Sequence, residues 1–250
     1  MPFTPAHAIA ALPFRRTRLN MSALVIGSLS PDFEYFLHLS ARGSFGHTVA
    51  GLFVLDLPLS LLILWLFHRY VKSALHTLTP GLFPLPQEPD PSGSGLLDWH
   101  RWLLVVVSVL MGAVTHIWWD AFTHPGFWPY RHIAILHQSV YLPSTGPVEF
   151  YKCLQYGSGI LGMAILAILW ISWVRKARHK HAPARTRSTL ILVGFAIAGA
   201  VLRVAVGVDA LHGSRNRGVL ASEAVITFFA LLWLEVVIYG AAIRRSMKHA

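Results

Sequence analysis

Apolar residues run in five long blocks, near 51–67, 102–119, 154–174, 189–208 and 219–243. Each approaches the roughly 20 residues that carry a helix across the hydrocarbon of a bilayer. The second and third are the cleanest, with no charged residue between Trp102 and Trp119 or between Leu154 and Val174. The others carry interruptions: Asp56 with Pro58, Arg203, and Glu223 with Glu235. An ionisable group at membrane depth costs about 2.5–3.5 kcal/mol, so these side chains are expected to face the bundle interior and pair there, Arg203 with a carboxylate. Residues 19–41 break the pattern, because the apolar stretch Met21 to Leu29 meets Asp32 and Glu34 before Phe36 and Leu37. A half-buried or re-entrant helix fits them better than a sixth crossing. Thr79 to Gly95 is rich in Pro, Gly and Ser and lacks apolar periodicity, which predicts an exposed, mobile loop. The pattern predicts an all-α, polytopic transmembrane bundle of about five spans, formed by residues 1–250 as a single domain.

Composition agrees with that pattern. The chain is 54% hydrophobic and 13% charged, with a mean hydropathy of +0.53. Its net charge of +10 would be compatible with nucleic acid, but the basic residues cluster beside the apolar blocks, where membrane topology places them. No nucleic-acid partner is expected. Twelve Lys and Arg residues fall on the side of the 175–188 loop and the C-terminus, against eight on the other. This bias predicts that the 175–188 side faces the cytoplasm. A single cysteine, Cys153, excludes an intramolecular disulfide and any cysteine-based zinc motif, leaving histidine and carboxylate as metal donors. Pro2, Pro5 and Pro13, and the early arrival of Pro31, Asp32 and Glu34, argue against a cleavable signal peptide.

Candidate chemistry concentrates in three places: His7, then Asp32 with His47, then His116, Asp120 and His124. Residues four apart lie on one helix face, so the last three would present imidazole, carboxylate and imidazole along one stripe that Pro125 ends. Such donors suit zinc or another borderline divalent ion, manganese included. A plainer account makes them interfacial histidines beside Trp118, Trp119 and Trp128, an aromatic belt at headgroup level. Asp32 could equally cap the segment Phe33 to Leu39. The predicted topology nevertheless puts all six candidates on one side, outside the cytoplasm.

The stretches Met1-Pro-Phe-Thr-Pro-Ala-His7, Gly27-Ser-Leu-Ser-Pro-Asp32-Phe-Glu-Tyr-Phe36, His47 with Asp56-Leu-Pro58, and His116-Ile-Trp-Trp-Asp120-Ala-Phe-Thr-His124-Pro resemble the bacterial domain-of-unknown-function family 4184 over most of residues 1–240. That family's pattern is similar to membrane-bound metal-dependent hydrolases of the bacterial inner membrane, and more distantly to zinc-dependent phospholipase C and the S1/P1 nucleases. The resemblance implies metal-ligand roles for His7, Asp32, His47, His116, Asp120 and His124. The N-terminal Trp ligand of the soluble enzymes is absent, as is their downstream His-x3-Glu pair, and His132, His137 and Glu149 do not reproduce its spacing.

A divalent ion so held would polarise a phosphoryl or acyl oxygen and acidify water, so hydrolysis is the expected reaction. A site at headgroup level would meet lipid or phosphate-ester substrates by lateral diffusion. Arg131, Arg42 or Arg18 could grip a phosphate, and Asp32 or Glu34 could serve as general base. Two other classes stay open: a structural metal that ties the N-terminal segment to the bundle, and a transporter using the ionisable groups within the spans. The chain shows no internal repeat to support the transporter.

Overall fold

The computed structural model describes residues 4–80, 82–83, 99–143, 146–177, 185–209 and 217–246. Most of the predicted 79–95 loop and part of the basic 175–188 run lie outside these residues. Helix dominates: α1 (Met21–Leu29), α2 (Phe33–His38), α3 (Val49–Leu78), α4 (Trp99–Thr123), α5 (Trp128–His132), α6 (Phe150–Ala177), α7 (Thr186–Asp209) and α8 (Arg217–Ser246). Among the described residues five helices are long and apolar enough to cross a membrane, and they coincide with the five apolar blocks. They overrun the predicted limits by several residues at one or both ends, because polar ends continue a helix beyond its apolar centre. Little of the apolar surface of α6 and α7 is covered, only 11% of each apolar window being buried. Ile160, Leu161, Ile168 and Phe195 all point outward, as residues facing lipid tails would.

The stretch 19–41 forms α1 and α2, nine and six residues long, too short to cross. Asn20 caps α1 by accepting from the Ala23 N–H at 2.8 Å, and the turn Ser30–Asp32 separates the two helices. Thr4–Arg16 is a 3-10 helix. The described residues also include an antiparallel hairpin, β1 (Ser139–Leu142) with β2 (Gly146–Glu149), in which Ser139 pairs with Glu149. No alternating pattern in the sequence announces it. The α3 helix contains two π-helical stretches, Leu52–Asp56 and Phe67–Val71.

Two compact units make up the chain. The first comprises Met1–Pro31, Phe45–Leu61 and His100–Ile168. Its core is the close approach of α1 to α4 through two glycines. A Cβ on Gly27 would run into the Val109 carbonyl, and one on Gly112 into the Leu24 carbonyl oxygen and to 2.6 Å from the Ser28 nitrogen. Small residues that let helix backbones touch are the usual means of packing where lipid removes the hydrophobic drive for association. Buried residues of α4, among them Val105, Val109, Gly112, Ala113, His116 and Asp120, fall on one helical face. One stripe therefore both packs against α1 and carries the candidate ligands.

The second unit comprises Asp32–Ser44, Leu62–Trp99 and Leu169–Ala250. Val71, Ala74, Leu78 and Val236 form its apolar centre, flanked by Phe67, Leu192 and Leu232. Here the expected pairing of Arg203 is realised: its Nη2 lies 3.6 Å from Oε2 of the buried Glu223.

Candidate metal centre

The candidate centre is built around Asp120, a carboxylate buried to 1% exposure on the inner stripe of α4. Imidazoles surround it from three parts of the first unit. On Oδ1 converge His7 Nε2 at 3.5 Å and His124 Nδ1 at 3.4 Å. On Oδ2 converge His47 Nε2 at 3.3 Å and His116 Nε2 at 3.4 Å. The His7 and His116 rings stack, their centroids 3.8 Å apart.

Local structure explains each placement. The 3-10 helix Thr4–Arg16 turns His7 inward beside Ala6, and Gly162 of α6 makes room there, since a Cβ on it would lie 2.8 Å from the Ala6 methyl. His47 closes the 3-10 turn Phe45–His47, just before Thr48 caps α3 by accepting from the Gly51 N–H at 2.9 Å. His124 follows the last residue of α4 but stays on its ladder, its backbone N–H donating to the Asp120 carbonyl at 2.9 Å. The i, i+4, i+8 stripe therefore holds to its end.

The donor set can be tested against a small cation. His116 Nδ1 donates to the Ser28 carbonyl at 2.8 Å; a carbonyl only accepts, so in the neutral ring Nε2 presents a lone pair to Asp120. Burial, and next the neighbouring His116, hold His7 neutral by lowering its pKa to about 3, against a smaller opposing pull from Asp120. Among the described residues neither oxygen of Asp120 accepts a hydrogen bond, and His7 Nδ1 has no partner. Four imidazolium charges would far exceed one carboxylate, and the Nε2 lone pair that His116 turns toward the anion repels it. A divalent ion removes both difficulties. Ligands 2.0–2.1 Å from a tetrahedral zinc stand about 3.3 Å apart, close to the 3.3–3.5 Å separations of this cluster. The donor atoms of His7, His116 and Asp120 all lie within 4.8 Å of one another. The residues fit a metal.

The chain matches the model of a domain of unknown function, DUF4184, over residues 1–241. It belongs to the DUF4184 family. No curated protein and no solved structure matches it. In this DUF4184 chain the aromatic-belt account of the histidines does not hold for His116: Trp118 and Trp128 are exposed, whereas His116 is fully buried. Trp119 points inward and donates to Ser158 Oγ at 3.0 Å.

Asp32 is fully buried and stands at the N-cap position of α2, but its side chain makes no capping hydrogen bond, so capping does not account for it. It opens the second unit. Glu34, also in the second unit, lines a cavity there together with Arg42. Arg131 is exposed on α5, and Arg18 is exposed after the 3-10 helix. His132, His137 and Glu149 serve other contacts. His132 Nδ1 donates to the Trp128 carbonyl, His137 lies against the Tyr130 ring, and Glu149 accepts from the Tyr130 hydroxyl.

Sequence reasoning missed Gln155, whose side-chain amide hydrogen-bonds His124 Nε2. With the amide N–H facing the ring, the imidazole proton sits on Nδ1, on the side of Asp120; with the amide oxygen facing it, Nδ1 carries no proton, and its lone pair, 3.1 Å from Thr123 Oγ1, can serve a metal. Gln155→Leu is expected to weaken metal binding about tenfold, and Gln155→Glu, which can only accept, to leave it at least as tight as in the wild type. Competition with a chromophoric chelator measures both.

His7 also sets an acid limit. Below its ordinary pKa of 6.5 the unfolded chain takes up a proton that the folded chain refuses until about 3. The stability this residue contributes is whole above 6.5 and declines as pH falls toward 3. Chelator-treated protein should lose thermal stability over that window, and His7→Phe should flatten the decline.

Proposed function

We propose that this protein is a metal-dependent hydrolase of phosphate esters or lipids, working at the surface of the bacterial inner membrane with its site on the extracytoplasmic side. The observation that carries the reading is the convergence of four imidazoles on the buried Asp120 carboxylate, with His116 oriented by a backbone carbonyl. His7, His47, His116, Asp120 and His124 would hold the metal, zinc or manganese. The two Asp120 oxygens face different histidine pairs, so each imidazole has a carboxylate oxygen beside it. When bound, a divalent ion supplies Lewis acidity toward a phosphoryl or acyl oxygen and makes water acidic enough to ionise near neutral pH.

The protein's own part is to exclude bulk water, through the buried stripe of α4, and to keep the ring nitrogens deprotonated, as burial does for His7. Graded exposure supports an open side. The His116 side chain is fully buried and that of His7 is 8% exposed, whereas His47 and His124 reach 11% and 21%. Substrate would approach past His124.

A structural metal is the second reading, favoured by the same deep burial, since the ion would join the 3-10 helix Thr4–Arg16 to α4. Elemental analysis of detergent-purified protein comes first, with one or two equivalents of zinc or manganese expected and less in His116→Ala. Phosphodiester and phospholipid hydrolysis by the metal-loaded protein then separates the readings. A wild type that stays metal-free when offered zinc and manganese sinks both.

A further inference from the structure

Between α4 and α6 the chain forms α5, the turn Ala134–His137 and the hairpin β1–β2. Its composition there is unlike that of a loop standing in water. Arg131 and Glu149 are the only charged residues from Pro125 to Glu149, where ordinary sequence carries about a quarter. Large apolar side chains are turned away from the protein: Trp128 is 68% exposed, Ile135 51% and Tyr141 76%, and Val140 and Leu142 are exposed as well. Leu136 is buried, so the turn is pinned to the first unit while its neighbour Ile135 looks out. Exposed apolar groups gathered in one segment mark a contact surface.

Connectivity names what that surface meets. The segment leaves α4 at Thr123 and enters α6 at Phe150 directly from β2, and the Phe150 N–H donates to the Gln138 carbonyl at 2.9 Å. Both ends are therefore fixed to spans. Trp118 and Tyr156, one to two turns inside those ends, are exposed too, and such rings prefer the head-group boundary. The outward surface of the spans thus runs on into the segment.

Two physical limits set its depth. The sheet has two strands, so each strand keeps an outer edge of backbone N–H and C=O groups that hydrocarbon cannot satisfy. In water a lone hairpin is marginal, and β1 shows apolar side chains on both faces, Val140 and Leu142 on one and Tyr141 on the other. The hydrated head-group layer meets both limits, because backbone edges find water and phosphate there while apolar side chains reach the first carbons of the acyl chains.

We propose that residues 127–142 lie in the head-group layer of the bilayer, with Trp128, Ile135 and Tyr141 directed toward the acyl chains. The placement depends on neither a metal nor hydrolysis. One consequence does rest on the hydrolase reading: Phe127 stands edge-on to His47, ring centroids 6.5 Å apart, so head groups rather than bulk solvent would border the exposed side of the candidate centre and favour a phospholipid substrate.

Cys153 is the single cysteine of the chain, which opens a direct test. In a Cys153→Ser background, Trp128→Cys, Ile135→Cys and Tyr141→Cys would each carry a nitroxide, with Ile160→Cys on α6 as the hydrocarbon reference. These four positions are exposed, so the labels do not put folding at stake. In vesicles of phosphatidylethanolamine and phosphatidylglycerol, accessibility to oxygen against a water-soluble nickel chelate reads depth. The three labels should favour oxygen several-fold more than a free nitroxide in buffer does, and less than the Ile160→Cys label does. Ready access to the nickel chelate would put the segment in water, and poor access to both reagents would put it under another protein chain; either overturns the proposal. A second measurement leaves Cys153 in place. Trp128→Phe should reduce quenching of tryptophan emission by lipids brominated high on the acyl chain more than by lipids brominated near its end, and unchanged quenching would overturn the placement. Immersed labels on a protein that hydrolyses no lipid would fail the hydrolase reading and leave the placement standing.

Discussion

Asparagine in place of Asp120 is expected to strip the metal from the protein while leaving the fold intact. The substitution preserves size and shape but removes the one charge on which His7, His47, His116 and His124 converge at 3.3–3.5 Å. Loss of a mere orienting partner costs a metal site about 10–100-fold in affinity; a shared ligand should cost more, and hydrolysis should vanish with the metal. The helix should survive, because Asp120 accepts no side-chain hydrogen bond that asparagine would forfeit. His132→Ala is the matched control, since its ring bonds the Trp128 carbonyl on exposed α5. Metal retained in Asp120→Asn at the wild-type level would remove Asp120 from the centre.

The second large effect concerns a residue that touches no metal. Gly112→Val should destabilise the first unit and empty the metal centre together. The added side chain would collide with the Leu24 carbonyl and the Ser28 nitrogen, and backbone cannot yield as a side-chain tip does. Overpacking usually costs about 1–3 kcal/mol, and contact with two backbone groups puts this case at the upper end. Any retreat of α1 carries the Ser28 carbonyl away from His116 Nδ1, so the ring loses what orients it. Thermal unfolding and metal content, measured on one sample, should fall together. Gly157→Ala provides the comparison: nothing lies within 4 Å of a Cβ there, and that substitution should be neutral or slightly stabilising. Unfolding that drops in Gly112→Val while metal stays bound would separate packing from the site.

The spans were legible in the sequence because hydrocarbon thickness imposes a length on every helix that crosses it, and 18 or more apolar residues are hard to mistake. The His116, Asp120 and His124 stripe was legible because one helix fixes its spacing. His7 and His47 were put on its side of the membrane by the predicted topology, and their ligand roles came through resemblance to a family; nothing in their own surroundings distinguishes them from interfacial histidines. The partner of His116 was invisible for a physical reason. It is a backbone carbonyl, which any residue at position 28 would supply, so no side-chain identity marks it. Gln155 stands in the run Cys153-Leu-Gln-Tyr on a helix whose sequence spacing has no relation to α4, and only the tertiary approach of α6 gives it His124. The Arg203 and Glu223 pair was half legible: the cost of a buried charge demanded a partner for Arg203 without naming it. The β1–β2 hairpin escaped because its strands are four residues each and β1 is exposed throughout, too short and too wet for an alternating signature.

Because the donors come from positions 7, 47 and 116 to 124, the centre has an order of birth. His7 leaves the ribosome first, and at about 5–20 residues per second roughly 6–23 s pass before His124 follows. Until α4 is inserted, His7 and His47 face no carboxylate from that helix, and the glycine seam between α1 and α4 has only one of its sides. Insertion of this one helix therefore completes the packing and the ligand set in the same event, and an ion captured then would latch the chain's first segment to a helix made a hundred residues later.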